Sequence, residues 1–352
     1  MSAPADVLLL SLGTTRGLQI QDAQFAQIAR EAGASVATAR VRVGAFDRLR
    51  RGYPINDTVE ALAARRALAG ALARGPARSV VLSTTTAALL ARPGELPYAV
   101  WLDSPARLNR PGLRNRALHL LERRSLARAR LVIVLSPGAV AQLPDGAAPS
   151  IVISPPVAPA PPRDGGRGEA LVVAYVPDPK AKGLELLCRA WGRVGAADGA
   201  RLVVTGIRPQ RVVEFLGRFG LAPPPGMELA GMLAQEEFGS LMSRARAFVS
   251  AARWEDFGQA PLQALERGAA LVCAPAGGPF PALSIARALE PGFVAIDREP
   301  RSLASALEAA LGAGEPELVA YRTAARERLA PYRHEAQVQR MRELVLPALL
   351  DR

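Results

Sequence analysis

Short runs of branched apolar residues alternate with longer Ala- and Arg-rich stretches of helical period along nearly the whole chain. That alternation leaves few solutions. A strand–helix repeat of this kind packs as parallel sheets with helices on their faces. Residues 7–12 read as a buried first strand and 35–43 as a second. Further strands are expected at 79–83, 98–102 and 130–135. Phe25, Ile28, Ala29 and Ala32 recur at i, i+3, i+4 and i+7, which predicts a helix after the first strand. Residues 58–74 predict a second helix, and 113–129 predict a long basic one.

The segment 155–166 is dense in proline and glycine and reads as an interdomain linker. The alternation then restarts, with strands expected at 170–175, 201–205, 247–250 and 269–273. Helices are expected at 184–194, 235–244, 260–267 and 302–311, and a long helical region at 316–350 that Pro331 breaks. A length of 352 residues suits two domains, here 1–160 and 167–332. Two doubly wound α/β domains joined by a linker imply a cleft onto which the carboxyl ends of both sheets open.

Composition removes other classes. Apolar residues make up 49% of the chain, enough for a large core, which excludes a disordered chain. No apolar run approaches the ~18–20 residues a bilayer span needs. The N-terminus lacks a basic region before its first apolar run, so no secretory signal is expected. Cys188 and Cys273 stand far apart, which excludes a disulfide framework and suits a reducing cytoplasm. With His119 and His334 as the only histidines, no histidine-rich metal site is expected. His119 reads as a packing residue and Cys273 as an inert thiol at the end of a buried strand.

The net charge of +12 is unevenly placed. Residues 1–165 hold 21 arginines against 11 acids, and eight of those arginines lie between Arg107 and Arg130 with Glu122 as the single acid. Such a surface attracts polyanions, either nucleic acid or anionic lipid. Aromatic residues are only 5% of the chain, too few for interleaved base stacking, so nucleic acid is not an expected partner. The helix over 113–129 reads either as a membrane-surface helix or as a solvated basic face. Only two of the 44 basic residues are lysines, Lys180 and Lys182. A compact ammonium is therefore expected to matter at this one place, unless the loop is merely solvated.

Three stretches can carry chemistry. Residues 177–183 follow a strand and open a helix, so free N–H groups, a positive helix end and two lysines make a candidate diphosphate site. Residues 254–266 also lie between a strand and a helix. There Glu255 and Asp256 either accept from sugar hydroxyls or simply favour the helix start, while the N–H groups of Gly258 and Gln259 suit phosphate. Gly13 and Gly17 follow the first strand without the G-x-G-x-x-G spacing or a ribose-binding acid, which argues against a dinucleotide fold. These glycines instead permit close approach of another molecule.

Residues 172–283 resemble the C-terminal domain of GT-B glycosyltransferases, specifically the large retaining family 4. The resemblance rests on the lysine–glycine loop at Lys182 and Gly183, the strand ending at Gly206, the turn at Gly231 and Met232, Glu255 with Phe257 and Gly258, the helix continuing through Ala264, and Gly277 with Gly278. The N-terminal half is similar more loosely, through Gly13, the strand end at Asp103 and residues 132–136. The final helix, 333–352, resembles one that crosses back to the N-terminal domain.

The resemblance implies two Rossmann-like domains, acceptor side first and donor side second. It implies a UDP- or GDP-sugar donor, an acceptor hydroxyl, and neither metal nor other cofactor. Lys182 would hold the donor diphosphate with Lys180 assisting, and Glu255 would bond the transferred sugar. Phe257, Gly258 and Gln259 would line the phosphate and sugar, and Gly231 and Met232 the base. Gly13 would let its loop approach the diphosphate. Trp101 and Trp254 would flank the cleft, either stacking on sugar or packing in the core.

Three positions depart from the pattern. Gln263 stands where a second glutamate is usual, so a neutral amide would meet the ribose. Val176 replaces an arginine six positions before Lys182, and Asp103 replaces a histidine. Asp103 either orients and deprotonates an acceptor hydroxyl or caps the segment at Ser104. The expected function is sugar transfer, possible on a lipid-linked or envelope glycan, by a cytoplasmic protein peripheral to the membrane. The competing expectation is a non-catalytic scaffold of the same fold.

Overall fold

A computed structural model describes residues 3–44, 52, 54–161, 169–194 and 199–351. Part of the expected linker, 162–166, lies outside the described residues. The chain forms two compact units, Met1–Pro156 with Tyr332–Arg352, and Val157–Pro331.

In the first unit, strands β1 (Ala5–Ser11), β2 (Val36–Arg40), β3 (Ala77–Ser83), β4 (Tyr98–Leu102), β5 (Leu131–Val134) and β6 (Ser150–Val152) form one parallel sheet. Their order is β2-β1-β3-β4-β5-β6. The central strands carry unbroken buried apolar runs, Val7–Leu10 and Val80–Leu82 among them, because helices cover both faces. Leu8, Leu10, Val80, Leu82, Val100, Val132 and Val134 share one face with Ala64 and Leu68 of helix α2 (Ile55–Arg74) and Leu126 of helix α3 (Arg116–Arg128). On the other face, helix α1 (Arg16–Glu31) brings Phe25 to 4.5 Å from Trp101, ring centre to ring centre. Trp101 is thus a core residue, not a sugar platform.

The C-terminal segment packs on this first unit. Arg130 donates to the carbonyls of Ala348 (2.8 Å) and Asp351 (2.6 Å). The buried Gln337 side chain accepts from the Ser154 N–H at 2.8 Å, and His334 pairs with Glu31 at 2.6 Å. The expected break at Pro331 is a single 3-10 turn, Ala330–Tyr332.

In the second unit, β7 (Glu169–Tyr175), β8 (Arg201–Thr205), β9 (Met227–Gly231), β10 (Ala245–Ser250) and β11 (Ala270–Cys273) form a parallel sheet ordered β11-β10-β7-β8-β9. Helix α4 (Leu184–Val194) follows β7, and helix α5 (Gln259–Glu266) follows β10. Trp191 and Phe248 are fully buried in this core.

The structure departs from the sequence reading in several elements. The expected helix over 113–129 is a 3-10 turn, Leu113–Asn115, followed by α3. The buried Asn115 side chain donates to the carbonyls of Arg110 and Pro111, both at 3.0 Å, and holds that turn apart from the helix. The helices Pro209–Gly217 and Pro281–Leu289 escape the reading because each opens on a proline, which looks like a breaker but suits a first turn. Strand β6 escapes it because it is three residues at a sheet edge. Among the described residues, no helix is long and apolar enough to cross a membrane.

Candidate functional site

A doubly wound sheet opens a crevice where its strand order reverses, because the loops after the two neighbouring strands leave in opposite directions. In the second unit the reversal falls between β7 and β10. The loops after these two strands carry the two lysines and Glu255. The sheet topology therefore brings together residues 73 positions apart in sequence, Lys182 and Glu255.

The lysine loop is a hydrogen-bonded turn. The Asp178 carboxylate accepts from the N–H groups of Lys180 (2.9 Å) and Ala181 (2.8 Å), and the Asp178 carbonyl accepts from the Lys182 N–H at 2.9 Å. This turn leaves Lys180 exposed and Lys182 half-buried just before α4. Gly183 closes it at φ +67°. A Cβ at Gly183 would overlap the Ala251 carbonyl, so only glycine lets the lysine loop lie against the loop after β10. The Arg253 N–H then donates to the Ala181 carbonyl at 2.9 Å, tying the two loops together.

The Glu255 loop is clamped from its other side. The Glu255 N–H donates to the Gly277 carbonyl and the Gly277 N–H to the Arg253 carbonyl, each at 3.0 Å. A Cβ at Gly278 would strike the Glu255 carbonyl. The Trp254 indole N–H donates to Asp256 at 2.8 Å, which gives that tryptophan a local structural task. Gly258, left-handed at φ +76°, begins α5 beneath the Phe280 ring, and the start of α5, whose first N–H groups lack intrahelical partners, adjoins the crevice.

The Lys182 ammonium pairs directly with the Glu255 carboxylate. Burial pushes the Glu255 carboxyl up from its ordinary range, Lys182 opposes that through charge and hydrogen bond, and Asp256 pushes it further up. A cavity of about 150 Å³ adjoins the pair, lined by Tyr175, Val176, Ser250, Gly258 and Gln259 among others. Val176 is buried, with its N–H given to the Thr205 carbonyl, so no cation stands at that position. Gln263 lies one helical turn after Gln259, half-buried.

The remaining expected residues are dispersed. Gly231 ends β9 at φ +71° and its carbonyl accepts from the Thr205 hydroxyl at 3.1 Å, while Met232 is 67% exposed. Both stand at the carboxyl edge of the same sheet but outside the small cavity. The Phe257 side chain is buried. Gly13 and Asp103 belong to the first unit. Gly13, at φ +52°, follows β1 and its carbonyl accepts from the Gln19 amide at 2.9 Å. Asp103 follows β4 and accepts from the N–H of its neighbour Ser104 at 2.7 Å.

The sequence reading missed four residues near the two reversal points. Tyr175 lies over Gly206 and against Phe238, ring centres 5.5 Å apart, forming an aromatic wall at the crevice. Arg298 donates to the carbonyls of Ala251 (2.8 Å), Ala252 (2.6 Å) and Pro275 (2.5 Å), locking the Glu255 loop from behind. Thr84, at φ +85°, is the non-glycine residue with positive φ among the described residues and sits after β3. There the buried Asp22 accepts from the hydroxyls of Ser11 and Ser83, bridging the ends of β1 and β3 at the first unit's own reversal point. None of these has a motif, since each acts through a contact distant in sequence. Among the described residues, no three His, Cys, Asp or Glu side chains are grouped to hold a metal ion.

Residues 168–313 match the family described as Glycosyl transferases group 1, a match that takes in most of the second unit and less than half of the chain. No curated protein matches the chain by sequence. Solved structures match in fold over both units. Sucrose-phosphate synthase from Thermosynechococcus elongatus is similar at TM-score 0.73 and 16% identity, over 96% of this chain and 98% of that one. A glycosyltransferase from Rickettsia africae is similar at 0.71 and 13% identity, over 99% and 100%. A UDP-forming α,α-trehalose-phosphate synthase from Burkholderia xenovorans, in complex with glucose-6-phosphate, is similar at 0.68 and 11% identity, over 95% and 98%. The chain thus has the GT-B fold, two parallel-sheet α/β units, and residues 168–313 of its second unit are similar to the glycosyltransferase group 1 family.

Proposed function

We propose that the chain is a retaining glycosyltransferase that moves a sugar from a UDP- or GDP-sugar to an acceptor hydroxyl without a metal ion. The observation that carries this reading is the Lys182–Glu255 pair at the reversal point of the second sheet, inside the segment that matches the family.

The chemistry follows from charge. The bond between the anomeric carbon and the diphosphate oxygen breaks, its electron pair stays on the diphosphate, and the acceptor oxygen bonds to the anomeric carbon on the same face. The Lys182 ammonium and the N–H groups of Gly258 and Gln259 meet that growing charge. Lys182 leaves Glu255 for the diphosphate, and the freed Glu255 carboxylate accepts from the sugar's hydroxyls. Lys180 adds a second, solvent-exposed charge, and Arg253 a third at the same edge. Gln263 meets the ribose and Gly231 with Met232 the base. On the acceptor side Asp103 orients the hydroxyl and takes its proton, and Gly13 lets its loop approach the donor. The ammonium and the backbone N–H dipoles stabilise the leaving diphosphate in the place of a metal ion.

The acceptor is a lipid-linked or envelope glycan at the inner face of the cell membrane. Leu120, 50% exposed, stands among Arg116, Arg123 and Arg124 on the outer face of α3, and Leu113, 72% exposed, lies on the 3-10 turn before it. That mixture of apolar and cationic side chains suits an anionic bilayer. A buried Val176 without a cation and the amide at Gln263 favour one second reading, a scaffold that keeps the fold and lacks transfer. Incubation with UDP- and GDP-sugars and a panel of glycan acceptors, read by NMR of the product's anomeric proton, separates the two. Product with the donor's anomeric configuration is expected. Inverted product, or nucleotide-sugar binding without any product, refutes the reading.

A further inference from the structure

A groove of about 940 Å³ runs along edge strand β2 of the first unit, between α1 and α2. Its floor exists because both helices present small residues there. Ala63, Ala67 and Gly70 recur at helical spacing on α2, opposite Ala23 and Ala26 on α1. Its rim is cationic. Arg30 comes from the end of α1, Arg66 and Arg74 from α2, and Arg40 and Arg42 from the end of β2 and just beyond. All five are solvent-exposed. A Cβ on Gly70 would lie 3.3 Å from the Arg74 guanidinium, so Arg74 folds back over the glycine along the groove wall.

Among the described lining residues the one carboxylate is Asp22, and it is engaged. It is buried and accepts from the Ser11 and Ser83 hydroxyls, with Arg40 near enough to lower its carboxyl pKa against the upward push of burial. Elsewhere in the unit arginines find partners: Arg78 pairs with Asp6 at 2.8 Å and Arg110 with Asp57 at 2.9 Å. Arg42 and Arg74 form no ion pair with a described carboxylate. Several guanidinium groups around one concavity repel each other and attract a compact polyanion, whose phosphate oxygens match their planar fork. Among the described residues the groove has no aromatic lining on which a base would stack, which disfavours nucleic acid. Its volume suits a small molecule.

From this we infer that the β2 groove is a binding site for a small phosphorylated ligand, held by its phosphate between Arg42, Arg74 and the neighbouring guanidinium groups. The Ser11 end of the groove lies at the carboxyl end of β1, beside the Gly13 loop. The inference stands without the donor assignment, since every lining residue belongs to the first unit.

The test uses glucose 6-phosphate and glucose as probes of the full chain, by calorimetry at fixed ionic strength. Three variants are compared: Arg42→Ala/Arg74→Ala, Lys182→Ala, and the control Arg301→Ala/Arg328→Ala, exposed arginines of the second unit. Glucose 6-phosphate is expected to bind and glucose is not. Loss of two charge-assisted contacts should weaken binding about tenfold or more in the groove variant and leave the other two unchanged. Equal binding to the groove variant, no binding to the native chain, or loss in Lys182→Ala with retention in the groove variant would overturn the inference. UDP and GDP binding by the groove variant is measured in parallel, so failure of the donor assignment shows separately.

Discussion

Lys182→Ala leaves the Glu255 carboxylate without its counter-charge in a site where that side chain is only 11% exposed. Breaking a fully buried ion pair by removing one partner costs about 3–5 kcal/mol. The Lys182 side chain is 24% exposed, so water reaches the pair, and a loss of about 2–3 kcal/mol is expected. Glu255→Gln keeps an oxygen that accepts from the ammonium and should cost about 1 kcal/mol. The double variant replaces the stranded carboxylate with a neutral amide, and should be more stable than Lys182→Ala alone by about 1 kcal/mol at pH 8.

The pH dependence has a definite sign. Burial raises the folded-state pKa of Glu255, and removing Lys182 raises it further. A raised carboxyl binds its proton in the folded state before the unfolded one does, so Lys182→Ala regains stability as pH falls from 8 toward 5. Urea unfolding of the native chain and the three variants at both pH values measures these differences. An equal deficit for Lys182→Ala at pH 8 and pH 5, with Glu255→Gln adding to it instead of cancelling part, would refute the pairing argument.

Gly183→Ala forces a side chain into left-handed backbone and onto the Ala251 carbonyl, so a loss of about 2–4 kcal/mol is expected in thermal unfolding. Glu122 is buried, accepts from the Ala106 N–H at 2.8 Å, and has its pKa pushed up to about 7 by burial. Its contribution is therefore lost as pH rises through 7 and regained below, by up to about 3 kcal/mol, and Glu122→Gln should flatten that part of the stability–pH curve between pH 5 and 8. Arg116→Glu/Arg123→Glu/Arg124→Glu should abolish co-sedimentation with anionic vesicles and leave UDP or GDP binding intact; native protein that ignores anionic lipid would remove the membrane proposal.

The fold class was legible because parallel sheets covered on both faces need continuous apolar strands, and runs such as Leu8–Leu10 and 131–135 advertise them. Lys182 and Glu255 were legible as separate motifs, each between a strand and a helix. Their direct pairing was not, because it depends on β10 lying beside β7, a long-range fact of sheet order. Arg298 was invisible for the same reason: it holds carbonyls 23 to 47 positions away and belongs to no local pattern. Trp101 was ambiguous in sequence because an aromatic at a strand end packs or stacks with equal ease, and only Phe25 across the sheet decides it.

The central claim is that the loops after β7 and β10 bind a nucleoside diphosphate through Lys182. Thermal shift of the native chain and Lys182→Ala against UDP, GDP, ADP and their sugar conjugates tests it most directly, since a ligand bound to the folded state must raise the midpoint. The account predicts a rise with UDP or GDP that Lys182→Ala abolishes. A rise that survives in Lys182→Ala, or none with any nucleotide, would contradict it.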